Sequence, residues 1–338
     1  MKIAIFGAGS IGCYLGGQLA HVGADVVFIG RQRFKSEIEA NGLTLTHFER
    51  DEIALTPDQF TFSLNAKDIN SADIILLTTK SQDTLDAALA ILPHAKTDAI
   101  VISFQNGVSN PDVLRSILSQ EVLGAVVPFN VTGKGPGKFH CGTEGDLTVE
   151  NIDDPRLVTL QNLFAKAEQG LAISNNILAV QWGKLLVNLN NALNTLTGGT
   201  LKAGLLQRDY RKALAMVIGE ALTVVRGAGV EPANFGKASP TKMIKILRLP
   251  NFLYAGIMNK IVKIDAAARS SMLDDLEMGR VSEIDYLQGE IVKLAEKTDQ
   301  TAPCNTAIYR AVQNAFKVGK SPHMSGKDIY RYLLNALH

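Results

Sequence analysis

A turn of three glycines near the amino terminus constrains this chain more than any other feature. An apolar strand candidate, Lys2 to Phe6, runs directly into Gly7-Ala8-Gly9-Ser10-Ile11-Gly12, and residues 11–22 continue with helical spacing. Glycines spaced G-x-G-x-x-G between a strand and a helix form the fingerprint of a dinucleotide-binding turn. In that reading Gly7 permits the tight turn, Gly9 lets the backbone approach a pyrophosphate, and Gly12 lets helix and strand pack closely. The open amides and the dipole of the helix start then favour an anion. Glycine-rich turns also serve structure alone. The strand before the turn and a second strand candidate after it, Asp25 to Ile29, favour the nucleotide reading, with residues 7–12 as the cradle.

The end of that second strand bears on which dinucleotide. NAD binders usually place Asp or Glu there, about 20 residues past the glycines, on the ribose 2′-hydroxyl. Here the strand ends Phe28-Ile29-Gly30-Arg31, with Arg33 two residues on and no acid at that point. An arginine pairs with a 2′-phosphate through charge-assisted hydrogen bonds. A solvated surface arginine is the plainer alternative. A missing acid beside a present base points to NADP, with Arg31 as its ligand.

The 338 residues suggest two domains. Further strand candidates at residues 72–78, 99–104 and 121–127 alternate with helical stretches, which implies a mostly parallel sheet with right-handed crossovers. Residues 131–139 read as a loop or hairpin, and 157–167 as a helix. From about Ile177 onward the periodicity is mostly helical and broken by prolines. The expected architecture is α/β: a Rossmann-type doubly wound domain over residues 1–175, then an all-α domain over 176–338. In open sheets of this kind ligands bind at the carboxyl ends of the strands. Lys80 follows one such strand and Gln105-Asn106-Gly107 another, although Asn-Gly is also a common turn.

Composition excludes several classes. Thirty-four basic against 33 acidic residues leave a net charge of +1, with no general attraction to nucleic acid or anionic membrane. No run is long enough to span a bilayer, and the amino terminus lacks a signal-peptide core. Cys13, Cys141 and Cys304 lie far apart with no metal-type spacing, so no metal site is expected and a reducing, cytoplasmic setting is.

In the second half, residues 182–197 read as one helix. Lys184, Asn188, Asn191 and Thr195 fall at steps of four, three and four, one narrow polar stripe. Asparagine is a poor helix former, and solvated faces normally use Glu, Lys, Gln and Arg. A lysine among neutral amides suits a small polar anion, with the lysine as general acid or charge clamp. Ser270 and Ser271 read as helix caps, and Glu283 as a solvated helix residue. The basic residues Lys237, Lys242, Lys245 and Arg248 read as solvated helix faces.

In chain order, GAGSIG, LLTTK, QNG, WGKLLVN, SSM and EIDYLQG resemble the ketopantoate reductase family (2-dehydropantoate 2-reductases), over nearly the whole length. The resemblance implies reduction of ketopantoate to pantoate with NADPH, a step of pantothenate biosynthesis, with the substrate between the two domains. It implies that Lys184 is the general acid and that Asn188 and Ser271 bind the substrate. Asn106 would contact cofactor and substrate, and Glu283 the cofactor. Lys80 and the backbone near Asn130 would line the cofactor site. The chain departs from the family pattern where many members carry a second asparagine. That position is Ala192, and Asn194-Thr195-Leu196-Thr197 arrives two residues late. Two extra residues rotate a helix by about 200°. Either Asn191 or Asn194 then replaces the usual ligand, or the pocket is altered. The alternatives are a reductase of another 2-oxo acid or related carbonyl compound, and a non-catalytic NADP-binding module. A homodimer is compatible with the helical half.

Overall fold

The computed structural model describes residues 1–234, 236, 238–254, 256 and 268–337. The chain divides into two compact units, Met1–Ile177 and Leu178–His338.

The first unit is built on an eight-stranded sheet. Its strands are β1 (Lys2–Phe6), β2 (Asp25–Ile29), β5 (Thr61–Ser63), β6 (Ile74–Leu77), β7 (Ile100–Ser103), β8 (Glu121–Val126), β11 (Leu147–Glu150) and β12 (Leu171–Ser174). The order across the sheet is β12-β11-β8-β7-β6-β1-β2-β5. Pairing is parallel throughout except between β8 and β11. The chain leaves β1 toward β2 and β5, then returns to β6 on the other side of β1. That reversal makes the edge between β1 and β6 a topological switch point, where ligands bind in such sheets. Strands β6 and β7 are buried on both faces, which is why they read as unbroken apolar runs and not as alternations.

A second sheet of four strands, in the order β4-β3-β10-β9, comprises β3 (Leu43–His47), β4 (Ile53–Leu55), β9 (Val131–Gly133) and β10 (Lys138–Cys141). The segment expected as a loop or hairpin is an antiparallel hairpin, with Phe139 opposite Gly133, and its second strand runs parallel to β3. Helix α1 (Ser10–His21) lies between the two sheets, and nine of its twelve residues are buried. A side chain at Gly16 would run into Phe28 and Ile5, and one at Gly17 into Leu43 and Leu45. Helices α2 (Gln32–Asn41), α3 (Thr84–Ile91), α4 (Asn110–Arg115) and α5 (Pro155–Lys166) complete the unit. Strands β3, β4, β5, β11 and β12 fall where sequence reading assigned none. They are short, and β5 and β12 carry exposed or half-buried polar residues.

The second unit is helical: α6 (Ile177–Asn188), α7 (Asn190–Thr197), α8 (Leu201–Leu206), α9 (Arg208–Gly227), α10 (Pro240–Leu247), α11 (Ser271–Glu277), α12 (Gln288–Lys297), α13 (Pro303–Val318) and α14 (Gly326–Ala336). The helix expected over residues 182–197 is two helices, broken at Leu189. The buried Gln288 amide donates to the Leu189 carbonyl at 3.0 Å and so anchors the break. Central α9 packs against α8, α10, α12, α13 and α14. Lys242, Lys245 and Arg248 are exposed, as expected, whereas Lys237 lies outside the described residues.

Helix ends in this unit are tied by buried and half-buried side chains. The Glu220 carboxylate accepts from the backbone N–H groups of Cys304 and Asn305, both at 2.8 Å, and so caps α13. Arg211 is fully buried. Its guanidinium donates to the carbonyls of Leu205 (2.9 Å), Leu206 (3.2 Å), Leu247 (3.3 Å) and Leu249 (2.9 Å) and to Asn251 Oδ1 (2.9 Å). Its flat face lies 4.0 Å from the Tyr254 ring centroid. One planar group thus satisfies the carboxyl ends of α8 and α10 together. Arg211→Ala strands those carbonyls in the interior, at about 1–3 kcal/mol for each left unpaired. Thermal unfolding of this variant is expected to shift down by several degrees, by roughly 3 kcal/mol or more.

Candidate functional site

The glycine turn sits at the switch point. Gly7 has φ 106°, a conformation that L side chains avoid, and a Cβ there would lie 2.6 Å from the Thr79 amide nitrogen. The amides of Gly7 and Ala8 both donate to the Ile29 carbonyl, at 2.9 and 3.0 Å, locking the turn to the end of β2. A Cβ on Gly12 would meet the Gly7 carbonyl at 2.5 Å and Thr78 Oγ1 at 2.6 Å. Packing therefore demands glycine at 7 and at 12. Gly9 is different. Its φ of −93° suits any residue, and a Cβ there would find only the Gly7 carbonyl, at 3.9 Å. Among the described residues nothing requires glycine at 9, and the space beside it is open. Gly9 is the N-cap of α1, and no side chain caps that helix. The N–H groups of Ser10, Ile11 and Gly12 therefore have no partner within the helix. These residues fit the pyrophosphate of a dinucleotide.

The neighbouring strand ends form a polar network that sequence reading missed. Thr78 Oγ1 donates to the Gly7 carbonyl at 2.8 Å, tying β6 to the turn. The Gln105 amide donates to Thr84 Oγ1 (2.8 Å), and its carbonyl accepts from Ser103 Oγ (2.9 Å). Asn110 Nδ2 and Ser81 Oγ both donate to the Asn106 carbonyl, at 2.5 and 2.7 Å. Ser81, Thr84, Gln105 and Asn110 are all buried. Their joint effect is to fix the backbone of Asn106, which is half-buried and precedes Gly107 at φ 90°. The only local signal was a cluster of small polar residues after two apolar strands. Lys80 is half-buried at the end of the same edge.

Arg31 is well exposed, its side chain 84% accessible, with a loose ion pair to Asp83 at 3.7 Å. It lies just beyond β2, open to a ligand. Asn130 is exposed. Its backbone is engaged with the following loop, the N–H donating to Thr143 Oγ1 at 3.0 Å and the carbonyl accepting from Gly142 at 3.1 Å.

In the helical unit Lys184 is on α6, within electrostatic reach of Glu283, which precedes the short turn Ile284–Tyr286. Burial lowers the Lys184 ammonium to about 8, and the Glu283 carboxylate works against that shift. Asn188 is half-buried one turn further along α6. Asn191, on α7, is half-buried, and its carbonyl accepts from Ser270 Oγ at 3.3 Å.

Asn194 departs from expectation as a substrate ligand. It is fully buried, its Nδ2 donates to the Gly199 carbonyl (2.9 Å), and its Oδ1 accepts from the Ser270 amide (3.0 Å). Both ends of the amide fasten α7 to its surroundings, which removes it from any open face. Ser270, not Ser271, caps α11, accepting from the Leu273 amide at 3.2 Å. Ser271 is exposed in the first turn, its position set through Ser270 by Asn191 and Asn194. Among the described residues no group of three or more His, Cys, Asp or Glu could hold a metal ion, and the three cysteines are free and buried. No helix among them is long and apolar enough to cross a membrane.

A nucleotide-type glycine turn at the switch point of a doubly wound sheet, with a separate helical unit carrying a perturbed lysine, defines a Rossmann-type oxidoreductase architecture. The family model "Ketopantoate reductase PanE/ApbA" matches residues 3–154, and its C-terminal counterpart matches residues 176–315. The chain belongs to the ketopantoate reductase family, oxidoreductases acting on a CH–OH/C=O pair. It is 28% identical to a 2-dehydropantoate 2-reductase of Pyrococcus horikoshii, over 94% of this chain and 99% of that one. The crystal structure of a ketopantoate reductase of this family from Ralstonia eutropha superposes with a TM-score of 0.81 at 31% identity, covering 94% of this chain and 99% of that one. The fold is shared with D-mandelate dehydrogenase, solved with NADH and anilino(oxo)acetate: TM-score 0.79, 20% identity, 94% and 99% covered.

The contrast between the two asparagines is measurable. Asn194→Ala leaves the Ser270 amide and the Gly199 carbonyl unpaired and is expected to lower stability by about 1–3 kcal/mol. Asn191→Ala is expected to stay within about 0.5 kcal/mol of wild type, since its side chain makes no hydrogen bond among the described residues. Urea unfolding of the two variants side by side checks both values.

Proposed function

We propose that this chain is an NADPH-dependent reductase of a 2-oxo acid, and that the acid is 2-dehydropantoate, the product pantoate entering pantothenate biosynthesis. The observation that carries the reading is the pairing of Gly9, whose missing side chain leaves open space at the uncapped start of α1, with a lysine whose ammonium is lowered to about 8. Family membership and the Pyrococcus relative support the substrate. The first unit is assigned to the dinucleotide, with residues 7–12 on the pyrophosphate, Arg31 on the 2′-phosphate, and Lys80 and Asn106 as further contacts; Glu283, a residue of the second unit, is assigned a cofactor contact by the family resemblance. Asn130 contributes through the backbone that its loop contacts hold. The second unit is assigned to the substrate, through Lys184, Asn188, Asn191 and Ser271.

Bound NADPH supplies the hydride, which is delivered to the ketone carbon. The ketone oxygen then gains negative charge and needs a proton. Lys184 is mostly protonated at neutral pH, yet its lowered value brings it nearer to the acidity that proton donation favours. Its ammonium also stabilises the charge as it develops. Glu283 keeps the lysine from losing its proton too early. The asparagine amides offer donors and acceptors to the carboxylate and hydroxyl ends of the acid, and Ser271 adds a hydroxyl.

A second reading, reduction of a different 2-oxo acid, is favoured by one observation. The family's second asparagine is Ala192 here, and the nearby Asn194 is committed to Gly199 and Ser270. NADPH oxidation measured with 2-dehydropantoate, pyruvate and phenylglyoxylate, each with an NADH control, separates the readings. NADPH-specific turnover greatest on 2-dehydropantoate is the expected result, and preference for either other acid would sink that assignment. Binding without turnover of any acid would sink the enzyme reading.

Three variants test the roles. Lys184→Ala is expected to reduce kcat by about 10²- to 10⁴-fold with NADPH affinity unchanged. In wild type, kcat is expected to fall as pH rises through about 8, because the general acid must carry its proton. Glu283→Gln removes the charge that raises the lysine, so this alkaline limb moves to lower pH. Arg31→Ala is expected to raise KM for NADPH by about tenfold or more and to leave KM for NADH unchanged.

A further inference from the structure

A cavity of about 220 Å³ lies within the first unit, at the opposite end of α1 from the glycine turn. About 9 Å of helix runs from Gly12 to Gln18 in the cavity wall. Its walls come from the last turns of α1, the end of β3 with the loop running into β4, and the carboxyl end of α5. The volume is below the roughly 300–1,000 Å³ of sites for drug-sized ligands, so an occupant is smaller than those.

Two polar atoms in this wall have no hydrogen-bond partner among the described residues. Gln18 is 2% exposed, and its Oε1 is buried and unpaired. Arg50 is half-buried, and its Nη1 is likewise buried and unpaired. Native proteins pair the large majority of such atoms, because each left alone costs about 1–3 kcal/mol and more when charged. The two are chemically complementary to one small molecule: a charged donor and a neutral acceptor. The other buried polar group here, the Tyr14 hydroxyl, is engaged by Cys141. His47 is held below its ordinary range by burial and by Arg50, so it is neutral at pH 7. The remaining ionisable residues, His21, Asp51, Glu52, Lys166 and Glu168, are exposed on the rim and screened by solvent. The buried side of the cavity is completed by Tyr14 and Leu45, each 2% exposed.

We propose that this cavity is a second small-molecule site, for a monocarboxylate that also carries a hydroxyl or amine. Its carboxylate pairs with Arg50, its donor bonds Gln18 Oε1, and its carbon chain lies against Tyr14 and Leu45. The site is independent of the reductase assignment, since none of its residues belongs to the glycine turn or to the helical unit.

Calorimetric titration of the NADPH-loaded protein tests it, with 3-hydroxybutyrate and 3-aminobutyrate as probes. At least one is expected to bind with a Kd of about 1 mM, and the stronger of the two identifies the donor. Butyrate lacks the donor and 1,3-butanediol lacks the carboxylate, so each is expected to bind about tenfold more weakly. Arg50→Met and Gln18→Met keep the shape of each side chain while removing its polar end. Both are expected to weaken binding about tenfold while reductase turnover stays at the wild-type level. Wild type failing to bind either probe up to about 50 mM would overturn the site. So would equal binding by wild type and whichever variant folds, or a crystal grown with the probe that shows only water between Gln18 and Arg50.

Discussion

The first unit depends on how closely the glycine turn approaches the end of β6. Gly12 sits against the Gly7 carbonyl and the Thr78 hydroxyl with no space for a methyl group, while Gly7 and Ala8 hang from the Ile29 carbonyl. That contact joins β1, β2 and β6 at the point where the strand order reverses. It also sets the aim of α1. The helix is buried between two sheets, so its direction is fixed by packing on both sides, and its uncapped amides are delivered rigidly to the carboxyl edge. Rigid placement matters because an anion site made of backbone N–H groups has no side-chain freedom with which to adapt.

The second unit is organised differently. Its helices are mostly short, and short helices leave many end groups to satisfy. Buried or half-buried polar side chains do this at defined places: Arg211 for α8 and α10, Glu220 for α13, Gln288 at the Leu189 break, Asn194 for the segment leading into α11. Each would be costly alone, yet with partners each specifies one arrangement of the chain. The Gln288 contact falls within, and the Asn194 contact just beyond, the stretch that carries Lys184, Asn188 and Asn191. The polar residues that fasten this stretch therefore support the proposed site as much as those that present themselves on it.

Much of this was legible in the chain. The glycine turn, the buried parallel strands and the change to helical periodicity near Ile177 are local patterns, and local patterns follow from sterics and burial over a few residues. Strand β3 was not assigned, although Leu43 and Leu45 alternate with threonines: the strand is short and its sheet partner β10 lies more than 90 residues away. The single helix expected over residues 182–197 failed for a similar reason. Gln288, almost a hundred residues on, holds the carbonyl at which it breaks. Asn194 was a candidate ligand because Asn194-Thr195-Leu196-Thr197 resembles the family's asparagine run, whereas its amide is committed to Ser270, 76 residues downstream.

By itself the sequence determined the fold class, the nucleotide-type turn and the identity of the family, because each is written in residues that are neighbours along the chain. The tertiary structure alone decided which polar residues are fasteners and which are open. It separated Asn191 from Asn194, assigned the helix cap to Ser270 and not Ser271, set Glu283 against Lys184, and brought Gln18 and Arg50 into one cavity wall. A side chain's role depends on what satisfies its hydrogen bonds and how much water reaches it, and both are properties of contacts made at long separation in sequence.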